Sequence, residues 1–176
     1  MAVTIRQLSS VDAENYWRFR LEALLDSPLA FASDAEQHRT DGVALTAERL
    51  GHPRNWTLGA FVDGQLAGTM TMLIETRVKT AHKAMLVGVY VAPGHRGTGL
   101  ARELLEATIA RARATPPIGQ VLLAVTVADP PRARRFYERA GFRTYGVEPR
   151  ALRIGDEYVD QEMMLLDLRT EPAAAG

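Results

Sequence analysis

The chain has 176 residues, 47% of them hydrophobic, and its 21 basic residues balance 21 acidic ones to a formal net charge of zero. This length and apolar content predict one globular domain, and the balanced charge disfavours a general nucleic-acid binder. The absence of cysteine excludes disulfides and an acyl-cysteine intermediate, and no apolar run approaches the roughly 20 residues that span a bilayer, so a cytoplasmic protein is expected.

The first third of the chain carries one strand signal followed by helix signals. A short strand is predicted over residues 4–8, and a helix capped by Asp12 is predicted to reach about Leu25. Residues 26–42 read as a loop with at most one helical turn, and residues 45–50 predict a short helix. The sequence therefore predicts little regular structure between these two helices.

The middle of the chain is rich in strand signals. Asp63 and Gly64 separate two apolar runs, which predicts a tight hairpin. The near-continuous apolar run at residues 83–93 is typical of a strand covered on both faces, and Gly88 inside it indicates a bulge or a close backbone approach. A glycine-rich turn and a helix with apolar residues at helical spacing follow.

The last third predicts one buried strand, one helix and two further strands. The strand covers residues 120–128, and the helix is predicted to have Asp129 as its N-cap, prolines in its first turn and Gly141 as its stop. The final strands are expected near residues 143–147 and 158–168. This order predicts an α+β domain over residues 1–169 with a flexible tail at 170–176, in which the strand–helix–strand unit around residues 85–127 is parallel and right-handed.

The stretch "VAPGHRGTGLARELL" joins a strand, a glycine-rich turn and a helix N-terminus, which together form a general anion site. A P-loop is excluded because Leu100 and Ala101 stand where lysine and serine or threonine are required. The dinucleotide fingerprint fails because no glycine follows Gly97 and Gly99 at the third position. A tight turn at the start of a well-packed helix remains the alternative.

Two motifs resemble those of the GNAT superfamily of acyl-CoA-dependent N-acetyltransferases. Arg96, Gly99 and Ala101 match its Arg/Gln-x-x-Gly-x-Gly/Ala signature, and "ARRFYERAGF" at residues 133–142 is similar to its later helix and turn. The resemblance covers roughly residues 4–168. It implies the acyl-CoA N-acyltransferase fold, with a mixed, mostly antiparallel sheet of about seven strands flanked by about four helices.

The resemblance also implies roles for individual residues. The Val89 amide would polarise the thioester carbonyl as an oxyanion donor, Val91 would bind the pantetheine arm through its backbone, and Tyr137 would act as general acid. The backbone amides that would cradle the coenzyme A pyrophosphate, with Arg96 opening the loop, belong to Gly97, Thr98, Gly99, Leu100, Ala101 and Arg102. Tyr137 also fits an apolar helix stripe, so a purely structural role is the alternative.

Two positions depart from the family pattern. Pro130 stands where many members have an asparagine that contacts the coenzyme arm, and the neighbouring Asp129 is a candidate for that contact. Met85 replaces the glutamate that serves some members as base, so the amine must lose its proton through water or another carboxylate. The carboxylates considered, each also readable as a solvated surface group, are Glu36, Glu75, Glu148 and Asp160.

The resemblance identifies the donor and leaves the acceptor open. It implies transfer of an acetyl group from acetyl-CoA to a primary amine by direct attack in a ternary complex. A non-catalytic acyl-CoA-binding or regulatory module is the alternative, motivated by Met85. No metal, nucleic acid or membrane partner is expected, a homodimer stays open, and the acceptor site is expected within residues 16–37 and 146–161.

Overall fold

A computed structural model describes residues 2–127 and 131–169, and this part of the chain contains seven strands and four α-helices. The strands are β1 (Val3–Gln7), β2 (Trp56–Val62), β3 (Gln65–Ile74), β4 (Lys83–Val91), β5 (Gln120–Thr126), β6 (Arg143–Ile154) and β7 (Glu157–Asp167). The helices are α1 (Ala13–Asp26), α2 (Ala35–Leu50), α3 (Leu100–Arg113) and α4 (Arg132–Arg139).

The strands form one sheet in the order β1-β2-β3-β4-β5-β7-β6. β4 and β5 are parallel, whereas β1 with β2, β2 with β3, β5 with β7 and β6 with β7 are antiparallel. The predicted α+β class and the mostly antiparallel sheet are confirmed. By its contacts the chain divides into two compact units, residues 1–73 with 86–111 and residues 74–85 with 112–176, so the predicted single domain stays a prediction.

The first unit contains the predicted hairpin. Asp63 and Gly64 connect β2 and β3 with φ of 48° and 82°, as a two-residue turn of positive φ requires. β2 is buried along its whole length, and β1 pairs with one of its edges and β3 with the other. The largest fully buried side chains of this unit are Leu8, Met70, Met72, Leu104 and Leu105.

Helix α2 corrects the prediction of a loop through residue 42. It begins at Ala35 because the Asp34 side chain accepts a 2.8 Å hydrogen bond from the amide of Gln37, and it kinks at Gly42, where φ is 69°. Its sequence is polar and buries only His38, Thr46 and Leu50, so the helical period is faint. Packing stabilises it instead: the rings of Trp17 and His38 stack at 5.7 Å, and Trp17 Nε1 donates to the His38 carbonyl at 3.2 Å.

The second unit holds β5, β6, β7 and α4. β5 pairs with Lys83–Met85 on one side and with β7 along its whole length on the other. β6 extends beyond the predicted residue 147, because an irregularity between Glu148 and Leu152 accommodates Pro149 within the strand. Arg150, in that irregularity, has φ of 54°, and its amide donates to Asp160 Oδ1 at 2.7 Å.

Helix α4 begins later than predicted. Pro131 is the N-cap and Arg132 is the first helical residue, so the prediction of Asp129 as N-cap is wrong. Pro131 was predicted to lie in the first turn and instead precedes it. Asp129 itself lies outside the described residues, as does the predicted tail. Gly141, with φ of 92°, lies just beyond the helix end as predicted. Within residues 2–127 and 131–169, no helix is long and apolar enough to cross a membrane.

Candidate functional site

The middle of β4 is open and irregular. Gly88 has φ of 62°, which favours glycine, and a Cβ at this position would crowd Thr71 Oγ1 at 3.3 Å. Thr69 Oγ1 donates to the Gly88 carbonyl at 3.3 Å. These contacts pack Gly88 against threonine side chains of β3, and the predicted bulge or close backbone approach stays a prediction.

Exposure along β4 departs from the prediction of a strand covered on both faces. Val87, Gly88 and Val89 are only partly buried, whereas Tyr90 and Val91 are buried. A central strand that is more open in its middle than at its end leaves backbone there within reach of a ligand. Val89, the residue with the predicted oxyanion amide, lies in this open part.

The glycine-rich loop after β4 is shaped by two left-handed residues. Gly97 and Gly99 have φ of 75° and 94°, which L side chains rarely adopt, and a Cβ at either position would meet no other atom within 4 Å. The Thr98 hydroxyl donates to the His95 carbonyl at 2.8 Å and holds the turn. The glycines therefore bend the chain beside open space, which fits a cradle for a ligand.

The loop presents backbone amides at the start of α3. The amides of Arg102 and Glu103 both donate to the Gly99 carbonyl, at 3.0 and 3.1 Å. In the described part of the chain, no backbone carbonyl accepts from the amides of residues 97–101. Unpaired amides at a helix N-terminus carry partial positive charge, so this loop is suited to bind phosphate oxygens.

Arg96 contributes through its side chain, which turns back onto the protein. Its Nε donates to the Val91 carbonyl at 2.9 Å, and its Nη2 pairs with Asp26 Oδ2 at 2.5 Å. The guanidinium carbon lies 5.4 Å from the centroid of the Tyr90 ring. Arg96 thus fastens the loop to the end of α1, and a direct contact with coenzyme stays a prediction.

Tyr137 lies on α4 in the second unit. Its side chain is 6% exposed and makes edge contacts with the rings of Phe136 and Phe142, at centroid distances of 5.1 and 5.5 Å. Burial raises the pKa of the phenol above that of a free tyrosine, so the hydroxyl is protonated at neutral pH. This protonation state suits a hydrogen-bond or proton donor, and the aromatic contacts equally suit a core residue.

The candidate bases have other partners or stand on the surface. Met85 is 37% exposed and pairs in register with Leu122. Glu36 forms a surface ion pair with Arg39 on α2. Among the other carboxylates, Glu75 accepts from the Thr80 hydroxyl, Asp160 from the Arg150 amide, and Glu148 lies opposite Gln161 on β7. In the described ranges, no group of three or more histidine and acidic residues is arranged to hold a metal ion.

Asp26 and Tyr16 are neighbours of this site that the motifs did not identify. Asp26 pairs with Arg96, and the Tyr16 hydroxyl lies 3.9 Å from the position of a Cβ at Gly88. Both lie on α1, far in sequence from β4 and the loop. Both fall within the range 16–37 where the acceptor site is expected, but no local pattern marks their contacts with β4 and the loop.

A mixed sheet in which a central strand with a left-handed glycine leads into a glycine loop and a helix N-terminus is the architecture of an acyl-CoA-dependent acyltransferase. The sequence model of the Acetyltransferase (GNAT) family matches residues 17–142. The chain belongs to this family and is an acyltransferase, as the resemblance implied.

Relatives and solved structures agree with this assignment. The chain is 33% identical over 125 residues to uncharacterized N-acetyltransferases of Mycobacterium bovis and Mycobacterium tuberculosis, which covers 71% of this chain and 75% of theirs. An acetyltransferase of the GNAT family from Streptococcus pneumoniae has a similar structure, with a TM-score of 0.80 and 21% identity, over 94% of this chain and 99% of that one. A putative acetyltransferase from Salmonella typhimurium, solved with acetyl-CoA, has a TM-score of 0.76 and 21% identity, over 99% of both chains.

Proposed function

We propose that this protein transfers an acetyl group from acetyl-CoA to a primary amine that binds at the same time. The observation that carries the proposal is the loop after β4, in which unpaired amides adjoin the open space beside Gly97 and Gly99. Family membership supplies the reaction class. The absence of cysteine supports direct attack by the amine without a thiol intermediate.

In the proposed complex, the loop binds the pyrophosphate of acetyl-CoA through backbone alone. The amides of residues 97–101 donate hydrogen bonds to phosphate oxygens, because the space beside Gly97 and Gly99 is open to a ligand. Arg102 is the weakest member of the predicted set, since its amide already donates to the Gly99 carbonyl. Val91 binds the pantetheine arm through its amide, because its carbonyl already accepts from Arg96.

The proposed chemistry forms one bond and breaks one. The neutral amine nitrogen attacks the thioester carbon, and negative charge develops on the carbonyl oxygen, where the Val89 amide donates a hydrogen bond. The carbon–sulfur bond then breaks, the nitrogen loses its proton, and the coenzyme leaves as a thiolate. Because Met85 cannot accept a proton, water or another carboxylate takes the proton of the amine.

Tyr137 serves the departing thiolate in this proposal. A thiol has an ordinary pKa of about 8.5, and burial raises the pKa of Tyr137 above its usual value of about 10. Complete proton transfer from this phenol to the thiolate is therefore uphill. Donation of a hydrogen bond as the carbon–sulfur bond breaks is the role that the raised pKa favours.

Release of coenzyme A thiol from acetyl-CoA over a panel of amines tests the proposal, with mass spectrometry of the acetylated product. We expect release that depends on an amine, and calorimetric binding of coenzyme A but not of ATP. The non-catalytic module remains the second candidate because Met85 occupies the position of the base. Binding of coenzyme A without turnover of any amine would favour that module, and equal binding of ATP would contradict the assignment of the loop.

A further inference from the structure

Arg20 is a half-buried cation on α1, and in the described residues it has no acidic partner. Its Nη1 is fully buried and has no hydrogen-bond partner among the described residues, and its guanidinium carbon lies 4.1 Å from the centroid of the Phe31 ring. Its neighbour Arg18, two positions earlier, pairs with Glu14 on the helix surface. In residues 2–127 and 131–169, no carboxylate pairs with Arg20.

A guanidinium whose buried nitrogen has no hydrogen-bond partner is costly and needs a physical reason. Removal from water penalises the charged form, and burial lowers the pKa of Arg20 without discharging it at neutral pH. Stacking on Phe31 offsets part of this cost. A planar guanidinium with a free donor matches a carboxylate, which accepts two parallel hydrogen bonds and neutralises the charge.

The position of Arg20 relates this cation to the proposed reaction centre within the same unit. Tyr16 lies one helical turn earlier on α1, and its hydroxyl is 3.9 Å from the position of a Cβ at Gly88. One turn of helix is about 5.4 Å, and residues four apart share a face. Arg20 therefore lies about one turn along α1 from Tyr16, the residue whose hydroxyl reaches the backbone that precedes Val89.

We propose that Arg20 binds the carboxylate of the acceptor, so that the substrate is a short amino acid whose amine reaches the carbonyl at Val89. This inference rests on the proposed acetyl transfer and adds the class of acceptor. Phe31 stacks on the guanidinium of Arg20, and Tyr16 lies one helical turn before Arg20 on α1. An acceptor without a carboxylate leaves the buried donor unpaired, which is an efficient way to reject it.

Thermal shift in the presence of coenzyme A tests the inference by binding alone. The probes are the proteinogenic amino acids, β-alanine and γ-aminobutyrate, each compared with its amide, which lacks the negative charge. We expect at least one acid to raise Tm more than its amide, and Arg20→Gln to weaken that binding at least about tenfold. Arg18→Gln is the matched control and keeps the preference.

Stability and turnover separate this role from a structural one. Arg20→Gln is expected to leave the Tm of the free protein unchanged or higher, because it removes an unpaired buried charge. The ratio of kcat/KM for an acid over its amide is expected to fall at least about tenfold in this variant and to hold in Arg18→Gln.

The outcomes also distinguish the inference from the function on which it rests. Acids and amides that bind and turn over equally, in the wild type and in Arg20→Gln, would overturn the inference and leave acetyl transfer intact. Preference for peptide amines or polyamines over every amino acid in the panel would overturn it too. Failure to bind coenzyme A or to acetylate any amine would overturn the proposed function, while the thermal shift still reports on Arg20.

Discussion

Arg96 and Asp26, 70 positions apart in the chain, form an ion pair with a nitrogen-to-oxygen distance of 2.5 Å. The hydrogen bond from Arg96 lowers the pKa of the Asp26 carboxyl, so this carboxylate is charged throughout the neutral range. A second bond from Arg96 to the Val91 carbonyl fixes the same guanidinium at the end of β4. The conformation of the glycine loop therefore depends on the last residue of α1.

Removal of this tie is expected to weaken coenzyme binding modestly. Asp26→Asn keeps the shape of the side chain but loses the charge that holds Arg96, so the loop samples conformations in which its amides diverge. Calorimetry should show a Kd for coenzyme A raised about two- to fivefold, as for a partly exposed ion pair. Asp156→Asn is the control, because Asp156 pairs with Arg153 on the surface, and an equal effect of both variants would contradict the role of Asp26.

The left-handed glycine of the loop offers a sharper test. Gly99→Ala places a Cβ in the open space beside the loop and strains a residue with φ of 94°. Gly64→Ala is the matched control, since this hairpin glycine has φ of 82° and equally open surroundings. Both variants are expected to lose roughly 1–2 kcal/mol of folding stability.

Only the loop variant should affect the coenzyme. Loss of one charge-assisted hydrogen bond to the pyrophosphate predicts a Kd for coenzyme A about tenfold higher in Gly99→Ala. Calorimetry checks the value, and Gly64→Ala should bind as the wild type does. An unchanged Kd in Gly99→Ala would show that the phosphates lie elsewhere.

The irregularity in β4 should affect the chemical step rather than binding. Gly88→Ala brings a Cβ to 3.3 Å from Thr71 Oγ1 at φ of 62°, which displaces the amide of the next residue, Val89. We expect kcat to fall about tenfold to a hundredfold, as for a misplaced oxyanion donor, with the Kd for coenzyme A nearly unchanged. Gly155→Ala, at φ of 61° in open space, is the control for strain alone, and a wild-type kcat in Gly88→Ala would count against the oxyanion role.

Replacement of Tyr137 separates a role as hydrogen-bond donor in catalysis from a role in the core. Tyr137→Phe keeps the aromatic packing and removes the donor, so kcat is expected to fall at least about tenfold while acetyl-CoA affinity holds. Tyr145→Phe on β6 is the control, since this tyrosine is 56% exposed. An unchanged kcat in Tyr137→Phe would leave this residue a structural role alone.

The pH dependence of the wild type follows from the direction of the shift. Because burial raises the pKa of Tyr137 above the ordinary value of about 10, the phenol is protonated throughout the range below pH 10. Its ionisation therefore places no alkaline limb on kcat there. The stability that depends on the neutral phenol is likewise present below about pH 10 and is lost as the pH rises further. A limb below pH 10 that disappears in Tyr137→Phe would contradict this assignment.

The sequence predicted the parts of the site that local patterns determine. The hairpin at Asp63 and Gly64, the irregularity at Gly88 and the helix stop at Gly141 each follow from glycine at a position of positive φ. The glycine loop was predictable for the same reason, because two glycines beside a helix start indicate close approach of backbone to a ligand.

Long-range contacts determine what the sequence could not predict. Helix α2 is polar and is stabilised by the stack of Trp17 on His38, so its own residues gave a weak helical period. The pairing of Asp26 with Arg96 and the unpaired guanidinium of Arg20 depend on how α1 packs, which no local pattern encodes. The first of these contacts positions the glycine loop, and the second is the basis for the proposed class of acceptor.

A crystal structure with acetyl-CoA is the most direct test of the role of the Val89 amide as oxyanion donor. The quantity to measure is the distance from the thioester carbonyl oxygen to the Val89 amide nitrogen. We expect a hydrogen bond of about 3 Å there, with the pyrophosphate on the amides of residues 97–101. A carbonyl that contacts no amide of β4, or a pyrophosphate bound away from the glycine loop, would contradict it.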